Sequence, residues 1–212
     1  AKKVISVDLN RIARPSNLSI SINNSVLSII RDQLSCLQKH EKIRERLDNL
    51  VSIKNYSFET LQSLGIEYKA PFDLLKNELG TKVDFIYSNS VLEHVPAKDA
   101  PLVMEKLKNL LTNDGFMIHC VHLEDHKARR KTPFDFYSIS STNFSKQDEN
   151  NRGNRLRKNQ WISILKSLKI KYKIFYNWKR RADCIPTQVD ASINYKDEDD
   201  LLTSHIGIYI QQ

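Results

Sequence analysis

The sequence has 212 residues, of which 40% are hydrophobic and 27% charged, so it carries enough apolar side chains for a packed core and is not a disordered chain. No apolar run reaches the ~20 residues that cross a bilayer, and residues 1–10 lack the apolar core of a signal peptide. We therefore expect a soluble, cytoplasmic protein without membrane insertion, whose formal net charge of +8 leaves a polyanionic partner open.

The first third of the chain alternates between strand-like and helix-like stretches. Residues 4–8 form a short apolar run closed by Asp8, which predicts a buried parallel strand that ends near a site. Leucine and isoleucine recur at helical spacing over residues 26–50, which predicts a long amphipathic helix. Residues 66–71 predict a second strand, ended by a proline.

The alternation continues through the middle of the chain. Residues 83–88 predict a strand, and residues 100–111 predict an amphipathic helix with Asp99 available as its N-cap. A turn signal at residues 113–115 precedes another strand-like run at residues 116–123. Strand, helix and strand in this order indicate a parallel sheet covered by helices.

The last third of the chain predicts a binding segment and two late strands. Residues 124–156 are polar and longer than an ordinary connection, which favours a binding loop or lid. A helix over residues 161–168 precedes strands at residues 171–178 and 204–210, which we expect to pair as an antiparallel edge. The predicted fold class is α/β: a mostly parallel sheet flanked by helices, with an antiparallel C-terminal edge strand.

One string is specific enough to suggest a family. DFIYSNSVLEHV at residues 84–95 resembles the fourth-strand motif of class I S-adenosylmethionine-dependent methyltransferases, which have a Rossmann-like sheet. Residues 4–10 resemble the family's second strand, whose terminal acid contacts the ribose hydroxyls of the cofactor, and residues 68–73 fall where its third strand and adenine-side acid should be. Three further strings are similar to uncharacterised members linked to glycan biosynthesis: residues 123–126, 134–136 and 154–157.

The main departure from the family concerns its glycine-rich cofactor loop. The chain has only five glycines, and none forms a GxGxxG-like cluster. Because the family's loop follows its first strand, and residues 4–8 resemble its second, we expect the first strand and the loop to precede Ala1. Residues 1–212 are then expected to form a single methyltransferase-like domain that is incomplete at its N-terminus.

The resemblance implies S-adenosylmethionine as the cofactor. Ligands of an open parallel sheet bind beyond the carboxyl ends of the strands, and a strand-ending acid accepts hydrogen bonds from vicinal ribose hydroxyls. The alternative for such an acid is a cap on the following turn. The expected cofactor-binding residues are Asp8, Leu9, Phe72, Asp73, Ser88 and Asn89.

The expected acceptor site lies after the strand at residues 116–123. His126 is the candidate catalytic base, with Asp125 expected to orient its imidazole, although a loop histidine on the surface is the alternative. His94, Arg155 and Arg157 are the expected substrate-binding residues. The alternatives are that His94 anchors the turn after its strand and that the arginines begin a basic helix.

Five residues of types that ligate metals also lie close together, but we expect no metal. Side chains three residues apart on a strand point to opposite faces, so His119 and His122 should diverge. Metal sites normally recruit ligands from several elements. The residues concerned are His119, His122, Glu124, Asp125 and His126.

We therefore expect an enzyme that transfers a methyl group from S-adenosylmethionine to oxygen or nitrogen of a small-molecule or glycan acceptor. The segment 124–156 is its candidate acceptor-binding loop. One alternative is a nucleic-acid methyltransferase, motivated by the charge of +8. The other is a degenerate methyltransferase fold that serves as a non-catalytic scaffold, motivated by the missing glycine loop.

Overall fold

The computed structural model describes residues 1–17, 29, 30, 33, 41–127 and 131–212. These residues form two compact units, Ala1–Asn77 and Glu78–Gln212. Most of the first half of the helix predicted over residues 26–50 lies outside the described residues. The single-domain organisation stays a prediction.

The first unit contains a short parallel strand pair. Strand β1 (Val4–Val7) pairs in parallel with β2 (Ile66–Lys69), which confirms both predicted strands. Helices α1 (Glu41–Val51) and α2 (Phe58–Ser63) lie between them in sequence, and Ser57 caps α2 by accepting a hydrogen bond from the Thr60 amide. Within the described part of the chain β1 is not buried, since Val4 is 44% exposed.

The second unit is built on a four-stranded mixed sheet of order β3-β4-β6-β5. The α/β fold class is confirmed: β3 runs parallel to β4, and β6 runs antiparallel to β4 and to β5. The late strands pair with each other as predicted, with β5 at the edge and the antiparallel β6 one position inside it. The strands are β3 (Val83–Asn89), β4 (Leu111–His122), β5 (Tyr172–Lys179) and β6 (Thr203–Gln211).

Helices in the second unit follow the predicted order. The helix predicted over residues 100–111 is α3 (Ala100–Leu110), and the one predicted near Trp161 is α5 (Lys158–Ser167). Helices α3 and α5 and strands β4 and β6 supply half of the buried apolar residues among those that the structure describes. Each large apolar side chain buried there stabilises the fold by about 1.5–3 kcal/mol. They include Met104, Met117, Val121, Trp161, Leu165, Ile206 and Ile208. No described helix has the length and apolar character needed to cross a bilayer.

The turn predicted at residues 113–115 is not a separate turn before a strand. Strand β4 already begins at Leu111, which pairs with Val83, whereas the next pair joins Phe85 to Phe116. Residues 112–115 therefore bulge out of the ladder. The turn-forming residues act inside the strand as an irregularity, and not as its boundary.

The segment 124–156 is folded where the structure describes it. It contains a 3₁₀ turn (Asp135–Ser138) and helix α4 (Lys146–Arg152), whose N-terminus carries a capping box made by Ser145 and Asp148. Its aromatic residues pack with residues nearer the C-terminus in a buried cluster of Phe134, Phe136, Tyr137, Ile193 and Leu201. The polar composition of the segment gave no sign of this buried cluster. The segment is therefore partly packed against the core and is not an open loop.

Candidate functional site

In the first unit, Asp8 lies at the carboxyl end of β1, as expected. Its Oδ2 accepts a hydrogen bond from the Tyr68 hydroxyl and its Oδ1 one from the Asn10 amide, both at 3.4 Å. The Phe72 amide donates to the Asp8 carbonyl oxygen at 2.8 Å, so the fold brings these two predicted cofactor residues together. Asp8 is half-buried, while Leu9 is 59% exposed. The long contacts leave the Asp8 carboxylate with lone pairs for further donors.

Asp73, the other acid expected at this edge, is engaged locally. Its Oδ1 accepts from the Leu75 amide at 3.0 Å, and its Oδ2 lies 3.0 Å from the Lys76 ammonium. The Lys76 hydrogen bond, followed by that of the Leu75 amide, lowers the pKa of Asp73. Both Asp73 and Phe72 are half-buried at the end of the β2 segment.

In the second unit, Ser88 lies opposite His119 in the β3-β4 ladder. The Ser88 hydroxyl and the His119 Nδ1 are 2.7 Å apart. Complete burial of His119 lowers its pKa to about 4, so the imidazole is neutral at pH 7. Asn89, which follows Ser88 in the chain, is exposed. The Ser88 hydroxyl is thus tied to a neutral imidazole that the sequence had not linked to it.

The Leu-Glu-His motif after β3 forms a 3₁₀ turn (Leu92–His94) with Leu92 and Glu93 buried. Asn154, which is distant in the sequence, stabilises this turn. Its Nδ2 donates to the carbonyl oxygens of Leu92 and Val95 at 3.1 and 2.8 Å. The Asn154 amide donates to the Glu93 carbonyl oxygen at 2.7 Å. Asn154 opens one of the strings that carry the family resemblance, and that resemblance was the only signal in the sequence for its role.

Glu93, His94 and His126 meet in one cluster, called here the Glu-His-His cluster. The His126 Nε2 lies 3.6 Å from the Glu93 Oε1, and the two imidazole rings are edge to face with centroids 4.6 Å apart. One nitrogen or oxygen atom from each residue lies within 4.8 Å of the other two. Two candidate site residues, His94 and His126, are thereby brought together beside the buried carboxylate of Glu93.

The histidine rings continue beyond this cluster in a row. The ring centroid of His122 lies 6.0 Å from that of His126, and the ring centroid of His205 lies 4.1 Å from that of His122. The Nδ1 of His205 is 2.9 Å from the Ser204 hydroxyl. As expected, His119 is not part of this group, because it pairs with Ser88 instead.

The expectation that Asp125 orients His126 needs correction. Asp125 is fully buried, and both its carboxylate oxygens accept hydrogen bonds from the Arg152 Nε at 3.1 Å. This bond is the main reason that the pKa of Arg152 is raised. The carboxylate beside the His126 ring belongs to Glu93, because the β3 and β4 ends are adjacent in the sheet.

The two arginines expected to bind substrate are both committed to backbone carbonyls. Arg155 is half-buried; its Nη1 donates to the Ile139 carbonyl at 2.6 Å, and its guanidinium lies 3.9 Å from the Phe144 ring centroid. Arg157 has no exposed surface, and burial is the main cause that lowers its pKa. Its donors reach the carbonyls of Leu123, Asp200, Leu201 and Thr203. Arg157 therefore ties segments of the fold together and does not face an acceptor.

Comparison with known proteins gives structural neighbours alone. No protein-family model and no curated protein matches the chain. LepI in complex with SAM is 12% identical and aligns with 82% of this chain and 40% of its own, with a TM-score of 0.41. An O-methyltransferase family protein from Burkholderia thailandensis is 15% identical over 73% of this chain and 39% of its own, with a TM-score of 0.38.

A third neighbour is the N-methyltransferase NodS from Bradyrhizobium japonicum WM9 in complex with S-adenosyl-L-homocysteine. It is 12% identical over 72% of this chain and 59% of its own, with a TM-score of 0.36. The chain thus spans less than two thirds of the length of each of these three proteins.

Proposed function

We propose that this chain is part of an S-adenosylmethionine-dependent methyltransferase that acts on oxygen or nitrogen of a small-molecule or glycan acceptor. The observation that carries the proposal is the position of Asp8 at the carboxyl end of a parallel strand, with Phe72 bonded to it through the backbone. Ligands of parallel sheets bind at this end. The motif at residues 84–95, which resembles that of class I methyltransferases, supports it independently.

The residues around Asp8 fit the ribose of the cofactor. A carboxylate can accept about four hydrogen bonds, and the two that Asp8 accepts are long, at 3.4 Å. The 2′- and 3′-hydroxyls of a ribose offer two adjacent donors of matching geometry. Phe72 is half-buried and its ring suits one face of the adenine. The cofactor roles of Leu9, Asp73, Ser88 and Asn89 stay predictions from the resemblance.

The acceptor is proposed to bind at the Glu-His-His cluster. Methyl transfer from a sulfonium needs an acceptor lone pair held in line with the methyl carbon, and an acceptor that starts protonated must lose its proton. We infer that His126 activates such an acceptor, and that Glu93, rather than Asp125, is the carboxylate beside its imidazole. His94 is proposed to contact the acceptor, since its ring lies against that of His126 and is partly exposed.

Calorimetric titration tests the cofactor site. S-adenosylmethionine is titrated into the natural full-length protein, into Asp8→Ala, and into a control variant, Asp183→Ala, whose carboxylate is exposed and pairs with Arg181. Loss of a charge-assisted contact to the ribose costs about 1.5–3 kcal/mol, so we expect Asp8→Ala to bind about 10- to 100-fold more weakly. The Asp183→Ala variant should bind as the natural protein does.

Two results would contradict the proposal in different ways. Absence of binding to the natural protein would remove the methyltransferase function and leave the scaffold alternative. Equal binding by the natural protein and by Asp8→Ala would retain the function but remove Asp8 from the site.

A further inference from the structure

The Glu-His-His cluster has the composition and spacing of a metal site. Its three ligand atoms lie within 4.8 Å of one another. An ion bound at about 2.0–2.4 Å from each ligand can reach atoms that are up to about 4–5 Å apart. The measured 3.6 Å between the His126 Nε2 and the Glu93 Oε1 is close to the roughly 3.3 Å that two ligands of one tetrahedral zinc ion subtend.

The hydrogen bond of His94 sets which of its nitrogen atoms is available. The His94 Nδ1 lies 2.7 Å from the Asn150 carbonyl oxygen. A carbonyl oxygen can only accept, so the proton sits on Nδ1 and the lone pair on Nε2. A histidine that ligates a metal usually donates its other N–H to a carbonyl or carboxylate in this way.

One short segment, residues 150–154, holds all three members of the cluster. The Asn150 carbonyl accepts from His94, and the Asn154 amide donates to the Glu93 carbonyl at 2.7 Å. The His126 amide donates to the Arg152 carbonyl at 3.1 Å. This common support from one segment fixes the relative positions of the ligands before any ion binds.

We propose that Glu93, His94 and His126 bind one divalent transition-metal ion, for which Zn²⁺ is the best fit. Two imidazoles and one carboxylate suit zinc, whereas Mg²⁺ and Ca²⁺ prefer oxygen ligands throughout. Three protein ligands leave a position open for an exchangeable ligand, as in catalytic zinc sites. Glu93 is 1% exposed, and an ion would balance its charge in that buried position.

These ligands differ from the five neighbouring residues at 119–126 that the sequence brings to mind as a metal site. That set was confined to residues 119–126, where strand geometry separates the side chains. Glu93 and His94 come from the turn after β3, so two elements supply the ligands.

A metal ion here would also explain how the acceptor is activated. An ion with an open position lowers the pKa of a hydroxyl bound to it. The His126 imidazole would then act as a ligand of that ion in place of a base, and the hydroxyl proton would pass to solvent. This role rests on the proposed methyltransferase function, whereas metal binding itself does not.

Cobalt titration tests the site directly. The full-length protein is prepared without a histidine tag, stripped of metal with a chelator and titrated with Co²⁺, whose visible ligand-field absorption reports coordination by nitrogen and oxygen. We expect one equivalent to bind and to be displaced by Zn²⁺. Glu93→Gln and His94→Asn should each weaken Co²⁺ binding by at least about 100-fold. Substitution of a residue that merely supports a metal ligand already lowers metal affinity by about 10- to 100-fold.

His205→Gln is the matched control, because His205 belongs to the same row of rings but not to the cluster. It should retain the affinity of the natural protein, and circular dichroism should show that all three variants are folded. Absence of stoichiometric Co²⁺ binding overturns the proposal, as does unchanged binding in folded Glu93→Gln and His94→Asn. Equal loss in His205→Gln also overturns it. Co²⁺ binding without S-adenosylmethionine binding would reject only the methyltransferase function.

Discussion

Arg157→Met should be among the most destabilising single substitutions in this chain. The Arg157 side chain is fully buried. It donates to the Leu123 carbonyl at 2.7 Å, to that of Asp200 at 3.0 and 3.3 Å, and to that of Leu201 at 3.3 Å. A further bond reaches the Thr203 carbonyl. One guanidinium thus satisfies four backbone acceptors at the ends of β4, α6 (Glu198–Leu202) and β6.

The expected loss of stability follows from the carbonyl groups that lose a donor when methionine replaces Arg157. Each buried acceptor without a donor costs about 1–3 kcal/mol. At most three of the four carbonyls would be left without a donor, because that of Leu201 also accepts from the Tyr137 hydroxyl at 3.2 Å. Three such acceptors set a ceiling of about 9 kcal/mol, but water entry and the removed desolvation cost of the guanidinium offset part of this. We expect a net loss of about 3–5 kcal/mol in the free energy of unfolding.

Urea unfolding, followed by the fluorescence of the buried Trp161, measures this loss. The matched control is Arg155→Met, because Arg155 is half-buried and, among the residues that the structure describes, donates to two carbonyls, those of Phe136 and Ile139. We expect the control to lose about 1–2 kcal/mol. A smaller loss in Arg157→Met than in Arg155→Met would refute the assignment of Arg157 to a structural role.

Two further substitutions test the packing of the sheet. Burial lowers the pKa of His119 from 6.5 to about 4, so the unfolded chain takes up a proton between these values that the folded chain does not. The stability that neutral His119 contributes is complete above pH 6.5 and falls by about 1.4 kcal/mol per unit as the pH drops toward 4. The advantage of the natural protein over His119→Gln in urea unfolding should shrink accordingly, and a constant advantage would contradict the burial effect. In Gly207→Ala the new methyl group would lie 2.5 Å from ring atoms of Phe175 and Tyr176, so we expect a loss of about 1–3 kcal/mol and a lower Tm by calorimetry. An unchanged Tm would show that these rings move aside freely.

Strands and helices were predictable because they depend on local patterns. Apolar side chains recur with the period of a strand or a helix when one face of that element is buried. Such patterns occur at residues 83–88 and 100–111. They appear as β3 and α3 with ends shifted by a single residue. The prediction that residues 113–115 form a turn before the strand was wrong, because a turn-forming tripeptide also suits a bulge within a strand. The pairing of Leu111 with Val83 shows that the strand begins before these residues.

Long-range partners decide the roles of the charged residues. Asp125 and His126 are adjacent in sequence, so the sequence suggested a pair, yet the fold directs Asp125 to Arg152 and brings Glu93 to His126. Arginine is usually a surface residue, yet Arg157 is buried, because carbonyls from two distant chain segments, at Leu123 and at residues 200–203, converge on it. The sequence by itself determined the elements and the strand-end position of Asp8. Only the tertiary structure decided which charges meet, because burial and partner choice depend on segments that lie far apart along the chain.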